Sequence, residues 1–268
     1  MTFGRRSFTL GKMTLCPPFT APSSTCSSPW FFHDTPDPLI RYLRDRRLKI
    51  GLAKIVQLTA RPAPSWRNVL IVCGGVGGEG TFLRKQGFRG VTVSELHPQL
   101  LATMGQRDPH LQGVAGDAEN LPFGDGTFDL VVVQDGIHHL KNPAKGLTEM
   151  LRVARRAVLM IEPHTGLVAR GFGTKIEKDK TTGECNFVFR WNLFFFQQVV
   201  SSYCVGRPFL VRGIRLWDHN FVMGKILRSL PCPHAAKVSL ARLGYGLLQA
   251  CLGPLGNMFI GVVVKGQE

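Results

Sequence analysis

The chain has 268 residues, 44% of them hydrophobic and 19% charged, enough apolar side chain to bury a core and too much for a disordered protein. Lys and Arg number 33 against 18 Asp and Glu, yet residues 1–67 and 164–268 carry +8 each and residues 68–163 carry −1, so a uniformly basic nucleic-acid-binding surface is not the first reading. The longest apolar runs fall well short of the roughly 20 residues that span a bilayer, and seven cysteines without a C-x-x-C pair argue against a disulfide framework or zinc knuckle and fit a reducing, cytoplasmic setting.

Residues 1–37 form the first segment. No acidic residue precedes Asp34, whereas Arg5, Arg6, Lys12 and many Ser, Thr and Pro do, the composition of a flexible tail or of an organellar transit peptide. Arg5-Arg6 followed by Phe8 faintly resembles a twin-arginine export signal, but LCPPFTAPSST is a poor hydrophobic region, which argues against export. Residues 38–65 follow as a helical extension. PLIRYLRDRRLKIGLAKIVQL sets Leu39, Ile40, Leu43, Ile50 and Leu58 among Arg41, Arg44, Arg46, Arg47, Lys49 and Lys54, which predicts one or two basic amphipathic helices. One reading is a helix packed on the core with a solvated basic face. The other is a lid or peripheral membrane element meeting an anionic acceptor through residues 38–58. RPAPSW then interrupts the pattern.

From Asn68 short apolar runs alternate with helical segments: NVLIVCG, then EGTFLRKQG; GVTVSEL, then HPQLLATMGQ; FDLVVVQ, then PAKGLTEMLRVA; and RAVLMIEP last. Strands apolar at nearly every position, separated by helices of about ten residues, predict a doubly wound parallel α/β sheet covered on both faces, with its core at residues 66–163. Beyond Pro163 the regularity fails. Residues 164–222 are expected to form an inserted, aromatic-rich lid or acceptor region, with Phe187, Phe189, Trp191, Phe194, Phe195 and Phe196 and a strand at RPFLVRGIRLW. Residues 223–268 are expected to supply a helix at HAAKVSLARLGYGLLQACL and a closing strand at MFIGVVVKG.

Gly75 to Gly80, GVGGEG, fits G-x-G-x-x-G at a strand-to-helix turn, and Glu95 ends the next strand twenty residues after Gly75. That spacing is a dinucleotide fingerprint, and it leaves a nicotinamide-dependent oxidoreductase open. Glu79 in the first helical turn would oppose a pyrophosphate but suit the ammonium and sulfonium of S-adenosylmethionine.

GDAENLPFGDGTFDLVVV, residues 116–133, resembles the third and fourth motifs of class I S-adenosylmethionine-dependent methyltransferases, in the branch that acts mostly on small molecules. NVLIVCGGVGG is then similar to the first motif, VTVSELHPQLL to the second, and VVQDGIHHL to the segment lining the methyl-transfer site. The resemblance covers residues 66–163 and the closing strand GNMFIGVVVKG. It implies a Rossmann-like sheet with S-adenosylmethionine as cofactor and no metal. It also implies that Cys73, Gly74, Gly75 and Gly77 form the loop under the methionine part, with Glu79 and Gln134 beside it. Glu95 would hold the ribose, Asp117 and the Ala118 N–H the adenine edge, and Leu96 the adenine face. Asp129 reads as structural, capping the loop before its strand. Ile71 stands where the family usually has an acidic residue and Cys73 where it has glycine; Glu79 is expected to compensate for the first, and Cys73 reads as a small buried apolar residue.

Methyl transfer is an in-line displacement governed by positioning, and a base is needed only if the acceptor must lose a proton. His138, His139 and His164 are the candidates, against the alternative that the His-His pair only packs and fixes its loop. His97 reads as a helix-start residue, and His110, His219 and His234 have no supporting constellation. The aromatic cluster is either core or the wall of an acceptor pocket. With the basic helix it points to O- or C-methylation of an apolar acceptor carrying an anionic group, such as a lipid-like, prenyl-phosphate or polyketide compound. An RNA methyltransferase and a non-catalytic methyltransferase-like binding protein stay open, and the sequence carries no indication of oligomeric state.

Overall fold

The computed structural model describes residues 37–59, 66–166, 176–178, 185–218 and 226–266. The expected tail or targeting segment up to residue 36, parts of the expected lid region, the Phe187 side chain and His219 lie outside them.

Chain order alternates as the apolar runs predict. The first five strands are β1 (Asn68–Val72), β2 (Gly90–Glu95), β3 (Gln112–Ala115), β4 (Phe128–Gln134) and β5 (Ala154–Pro163). Between them lie the helices α2 (Gly78–Lys85), α3 (Pro98–Arg107) and α4 (Pro143–Val153), preceded by α1 (Pro38–Thr59). A small antiparallel hairpin, β6 (Ile176–Lys178) with β7 (Cys185–Phe187), precedes α5 (Leu193–Tyr203) and β8 (Phe209–Leu216). α6 (His234–Leu252) and β9 (Met258–Lys265) complete the chain.

The seven-stranded sheet has the order β3-β2-β1-β4-β5-β9-β8. The first five of these pair in parallel, and β9 runs antiparallel to both β5 and β8. β4 is buried at every position, because helices cover both faces. Alternation along β1 divides the core: Val69 and Ile71 face a layer with Leu48 and Ile55 of α1, Phe82 of α2 and Met104 of α3, while Leu70 and Val72 face Leu147, Met150, Phe196 and Val200 of α4 and α5.

The structure chooses between the readings left open in two places. Of the described residues in 164–222, α5 covers one face of the sheet and β8, the expected strand, is its edge strand. Trp191 and Phe196 are fully buried beside Phe259, whereas Phe194 is exposed, so the aromatic cluster is mainly core. α1 in turn is a sheet-covering helix, with Leu39, Leu43, Leu48, Leu52 and Ile55 buried. Gly51 is required there: a Cβ at that position would lie 2.5 Å from Leu159 Cδ1 of β5. Arg44 and Arg47 are buried with the leucines, so only part of the expected basic face, including Arg41 and Lys49, meets solvent.

Candidate active site

The carboxyl ends of parallel strands form the crevice where such sheets bind ligands. The chain after β1 turns there through three left-handed residues, Cys73 (φ 53°), Gly75 (φ 52°) and Gly77 (φ 81°). Gly77 starts α2, and a Cβ on it would meet Met104 Cγ at 2.6 Å, while a Cβ on Gly75 would point into open space. The loop is anchored by Gly74 N–H donating to Ser94 O at 3.2 Å and Gly77 N–H to Gly74 O at 2.9 Å.

Glu95, at the end of β2, joins two loops. Its Oε2 accepts the Gly75 N–H at 3.0 Å, and its Oε1 accepts those of Leu96 and His97 at 2.9 and 3.3 Å. Leu96 leaves 57% of its surface exposed at this rim, an open apolar face beside the carboxylate. His97 is the N-cap residue of α3, as its sequence position suggests. Past β3, Gly116 N–H donates to Glu95 O at 3.0 Å, and Asp117 Oδ1 accepts the Glu119 N–H at 2.8 Å, which fixes the turn that carries the buried Ala118.

Glu79 and Gln134 face each other across the loop, both buried, with Gln134 Nε2 donating to Glu79 Oε1 at 3.4 Å. Gln134 Oε1 is buried without a hydrogen-bond partner among the described residues. An orphaned buried acceptor beside a carboxylate suits a cationic ligand group, because an unmade buried hydrogen bond is costly. Ile71 packs against Gly74 and Gly80 instead of supplying the acid usual at its position. Cys73 is half-buried against Gly136; burial pushes its thiol pKa up, and Glu95, Glu162 and Asp117 push it further, so it stays a neutral thiol.

The carboxyl ends of β4 and β5 carry the second group. Glu162, fully buried, accepts the N–H groups of Gly136 and Ile137 on Oε1, both at 2.9 Å, and meets His138 Nδ1 with Oε2 at 2.5 Å. The carboxylate acceptor identifies Nδ1 as the protonated nitrogen, so Nε2 is the basic one. His139 tilts against His138 with ring centroids 4.0 Å apart. His164 is placed differently: its Nδ1 lies 2.8 Å from Trp191 O, its ring stacks on Phe259, and burial pushes its pKa down. That geometry pins the Trp191 segment to the end of β5.

Arg47 of α1 reaches the same edge. Its Nη1 pairs with Asp135, a residue at φ 52° directly after β4, and its Nε with Asp218 after β8. Burial alone would lower the Arg47 pKa, but the two carboxylates outweigh it and hold the guanidinium charged. Asp129 lies at the opposite, amino end of β4, inside the strand rather than before it. Its Oδ2 accepts the Arg67 and Asn68 N–H groups at 3.0 and 3.3 Å, and Oδ1 accepts from Arg155 and Arg156. The role is structural, tying the approach of β1 to β4 and β5.

Glu162, Asp135, Arg47 and Asp218 were not among the residues singled out from sequence as site candidates. Two carried a signal. Glu162 is the lone carboxylate closing the apolar run RAVLMIEP, and Arg47 sits between Leu43 and Gly51 at i+4 spacing, on the buried face of its helix. Nothing local pointed to Asp218.

A family model described as "Methyltransferase domain" matches residues 71–161. Demethylmenaquinone methyltransferase of Beutenbergia cavernae is 37% identical over 103 residues, which is 38% of this chain and 41% of that protein. Norajmaline N-methyltransferase of Rauvolfia serpentina is 35% identical over 99 residues, 35% of this chain and 34% of its own length. The chain thus spans less than half the length of these curated relatives. Among solved structures, Haemonchus contortus phosphoethanolamine N-methyltransferase 2, in complex with phosphomonomethylethanolamine and S-adenosylhomocysteine, superposes with a TM-score of 0.52 at 15% identity, covering 82% of this chain and 53% of that one. This last likeness is one of fold. Residues 71–161 thus match a methyltransferase domain, within a sheet whose fold is that of class I S-adenosylmethionine-dependent methyltransferases.

Proposed function

We propose that this protein binds S-adenosylmethionine and methylates, at oxygen or carbon, a small apolar acceptor whose hydroxyl or enol must give up a proton. The observation that carries the reading is the Glu162-held imidazole of His138, one turn beyond the strand whose last residue, Gln134, faces the glycine loop. When bound, S-adenosylmethionine supplies an electrophilic methyl group for in-line displacement.

The chain's own residues then divide the work. Glu79 and the orphaned Gln134 Oε1 suit the ammonium of the methionine part, and the open side of Gly75 admits it. Glu95, already orienting the Gly75 N–H, has lone pairs left for ribose hydroxyls, with Asp117, Ala118 and Leu96 around the adenine. His138 Nε2 would take the proton that the acceptor's hydroxyl or enol must give up. Glu162 holds the ring's orientation and stabilises the resulting imidazolium. Buried Glu79 in the first turn of α2 disfavours the pyrophosphate of a nicotinamide cofactor.

The acceptor reading rests on the apolar surroundings of His138, where Phe189 N–H donates to His138 O at 3.4 Å and Phe189 packs on Trp191, and on the relatives named for demethylmenaquinone. An aromatic ring bearing an acidic hydroxyl fits both. Calorimetry should give tighter binding of S-adenosylhomocysteine than of NAD(H). Turnover with labelled methyl donor should favour hydroquinones and phenols with apolar tails over neutral polar acceptors and over tRNA. Preference for neutral polar compounds, or salt-dependent methylation of RNA alone, would overturn the acceptor class.

A further inference from the structure

We propose that Asp135 is a positioning residue for the proton transfer, fixing through its ion pair with Arg47 the turn that presents His138. Asp135 makes the last tie between β4 and β5, its N–H donating to Ile161 O at 2.9 Å. Its own backbone is left-handed, at φ 52°. Among the described residues the only other non-glycine in that region is Cys73 at φ 53°, and the two stand at the ends of the neighbouring strands β4 and β1. A Cβ makes this conformation unfavourable, whereas glycine adopts it freely. What aspartate has and glycine lacks is the carboxylate, and here it meets Arg47.

The residues that follow depend on that starting angle. Gly136 is wedged in place, since a Cβ on it would lie 2.6 Å from Cys73 Cβ and 3.0 Å from Val133 Cγ2. The N–H groups of Gly136 and Ile137 then reach Glu162 Oε1, and His138 Nδ1 reaches its Oε2, so a single carboxylate meets three consecutive residues. Relaxing Asp135 to an ordinary negative φ would rotate all three away from Glu162, because peptide planes are rigid and a change in one dihedral carries the chain beyond it.

Arg47 opposes that relaxation from outside the strand pair. Its buried guanidinium takes Asp135 with Nη1 and Asp218 with Nε, a forked and directional contact. Asp218 is fixed in turn: its N–H donates to Asn257 Oδ1 at 2.8 Å, its O accepts Asn257 Nδ2 at 3.0 Å, and Asn257 O accepts the His164 N–H just past β5 at 2.8 Å. Arg47 is therefore a strut between a fixed point beside β5 and the start of the His138 turn. Since Arg47 belongs to α1, the seating of that helix and the presentation of the imidazole are coupled. The glycine loop is held separately, by Ser94 O and Glu95, so a fault at Asp135 falls on turnover and spares cofactor binding. This inference rests on the reading of His138 as the base.

The test is turnover of the full chain with labelled methyl donor and a phenolic acceptor, beside calorimetry with S-adenosylhomocysteine. Asp135→Gly suits the backbone but removes the carboxylate, and kcat should fall about a hundredfold with KM and cofactor affinity almost unchanged. Asp135→Asn keeps a hydrogen bond to Arg47 without the charge, and should lose about tenfold. Arg47→Lys keeps the charge without the fork, and combining it with Asp135→Asn should lower kcat no further than the larger single effect. In proton NMR the downfield Nδ1 proton of His138 should vanish in Asp135→Gly and persist in Asp135→Asn. Wild-type kcat in Asp135→Gly, additive losses in the double variant, or a fall in cofactor affinity equal to that in kcat overturns the proposal. If Asp135→Gly does not fold, Asp135→Asn decides alone, and wild-type kcat there overturns it. His138→Gln separates the two readings. If it keeps turnover, the base assignment fails, and the NMR signal still decides whether Asp135 places the ring. If it loses turnover while both Asp135 variants keep theirs, the base stands and the positioning role falls.

Discussion

From β1 to β3 the site is shaped by loops reaching the adjacent strand: Glu95 holds the Gly75 N–H, and Gly116 returns to Glu95 O. Beyond β4 the same edge is held by side chains from far along the chain, Arg47 meeting Asp135 across 88 residues and Asp218 across 171. In the first region backbone N–H groups supply most of the donors, so only a few side-chain identities are needed. In the second, buried charges must find each other, and each depends on its partner being in place. One region tolerates sequence change around a fixed backbone path. The other can be broken at a single residue.

Arg47→Met tests that contrast most severely. It leaves the buried Asp218 and the half-buried Asp135 carboxylates without their shared cation, and should cost about 3–5 kcal/mol of stability in urea unfolding. A loss below about 1 kcal/mol would mean the acceptor side does not rest on the ion network. Glu162→Gln is next. It should lower kcat about a hundredfold or more, since the imidazolium loses its charged partner, with affinity for S-adenosylhomocysteine almost unchanged. If affinity fell with kcat, Glu162 would belong to the cofactor region instead.

Two smaller effects probe the first region and its far edge. Glu79→Gln should weaken cofactor binding about tenfold by calorimetry, because a charge-assisted hydrogen bond becomes neutral. An unchanged Kd would remove Glu79 from the site. Asp129 sets a pH dependence. Burial alone would raise its pKa, but hydrogen bonds from Arg155, Asn68 and Arg67 lower it below 3.8. The ionised form therefore stabilises the fold above that value, and the contribution is lost as pH falls through the folded pKa. Asp129→Asn should remove about 1 kcal/mol near neutrality, and thermal melts of wild type and variant should converge at low pH.

How far the sequence could be read follows the same division. GVGGEG, Glu95 and Asp117 stand out because backbone geometry at strand ends requires particular residue types at short spacing. His138 was visible as a histidine after an apolar strand and Glu162 as a lone carboxylate closing another, but their pairing was not. Glu162 meets it only because β4 and β5 pair with Gln134 opposite Ile161, which puts the two strand ends side by side. The aromatic run at 187–196 offered two readings, and the choice needed to know that Gly261 of β9 leaves room for the Phe196 ring, where a Cβ would come within 2.6 Å.

By itself the sequence determined the alternating strands and helices, the glycine turn and the acidic residues around it. These follow from hydrophobic period and from backbone conformations open to few side chains. Only the tertiary structure decided that the basic helix α1 covers the sheet, that Arg47 closes a buried ion network, and that Glu162 orients His138. Each of these depends on which distant segments share an edge or a face, and a charge or an apolar side chain carries no local mark of the partner it will meet.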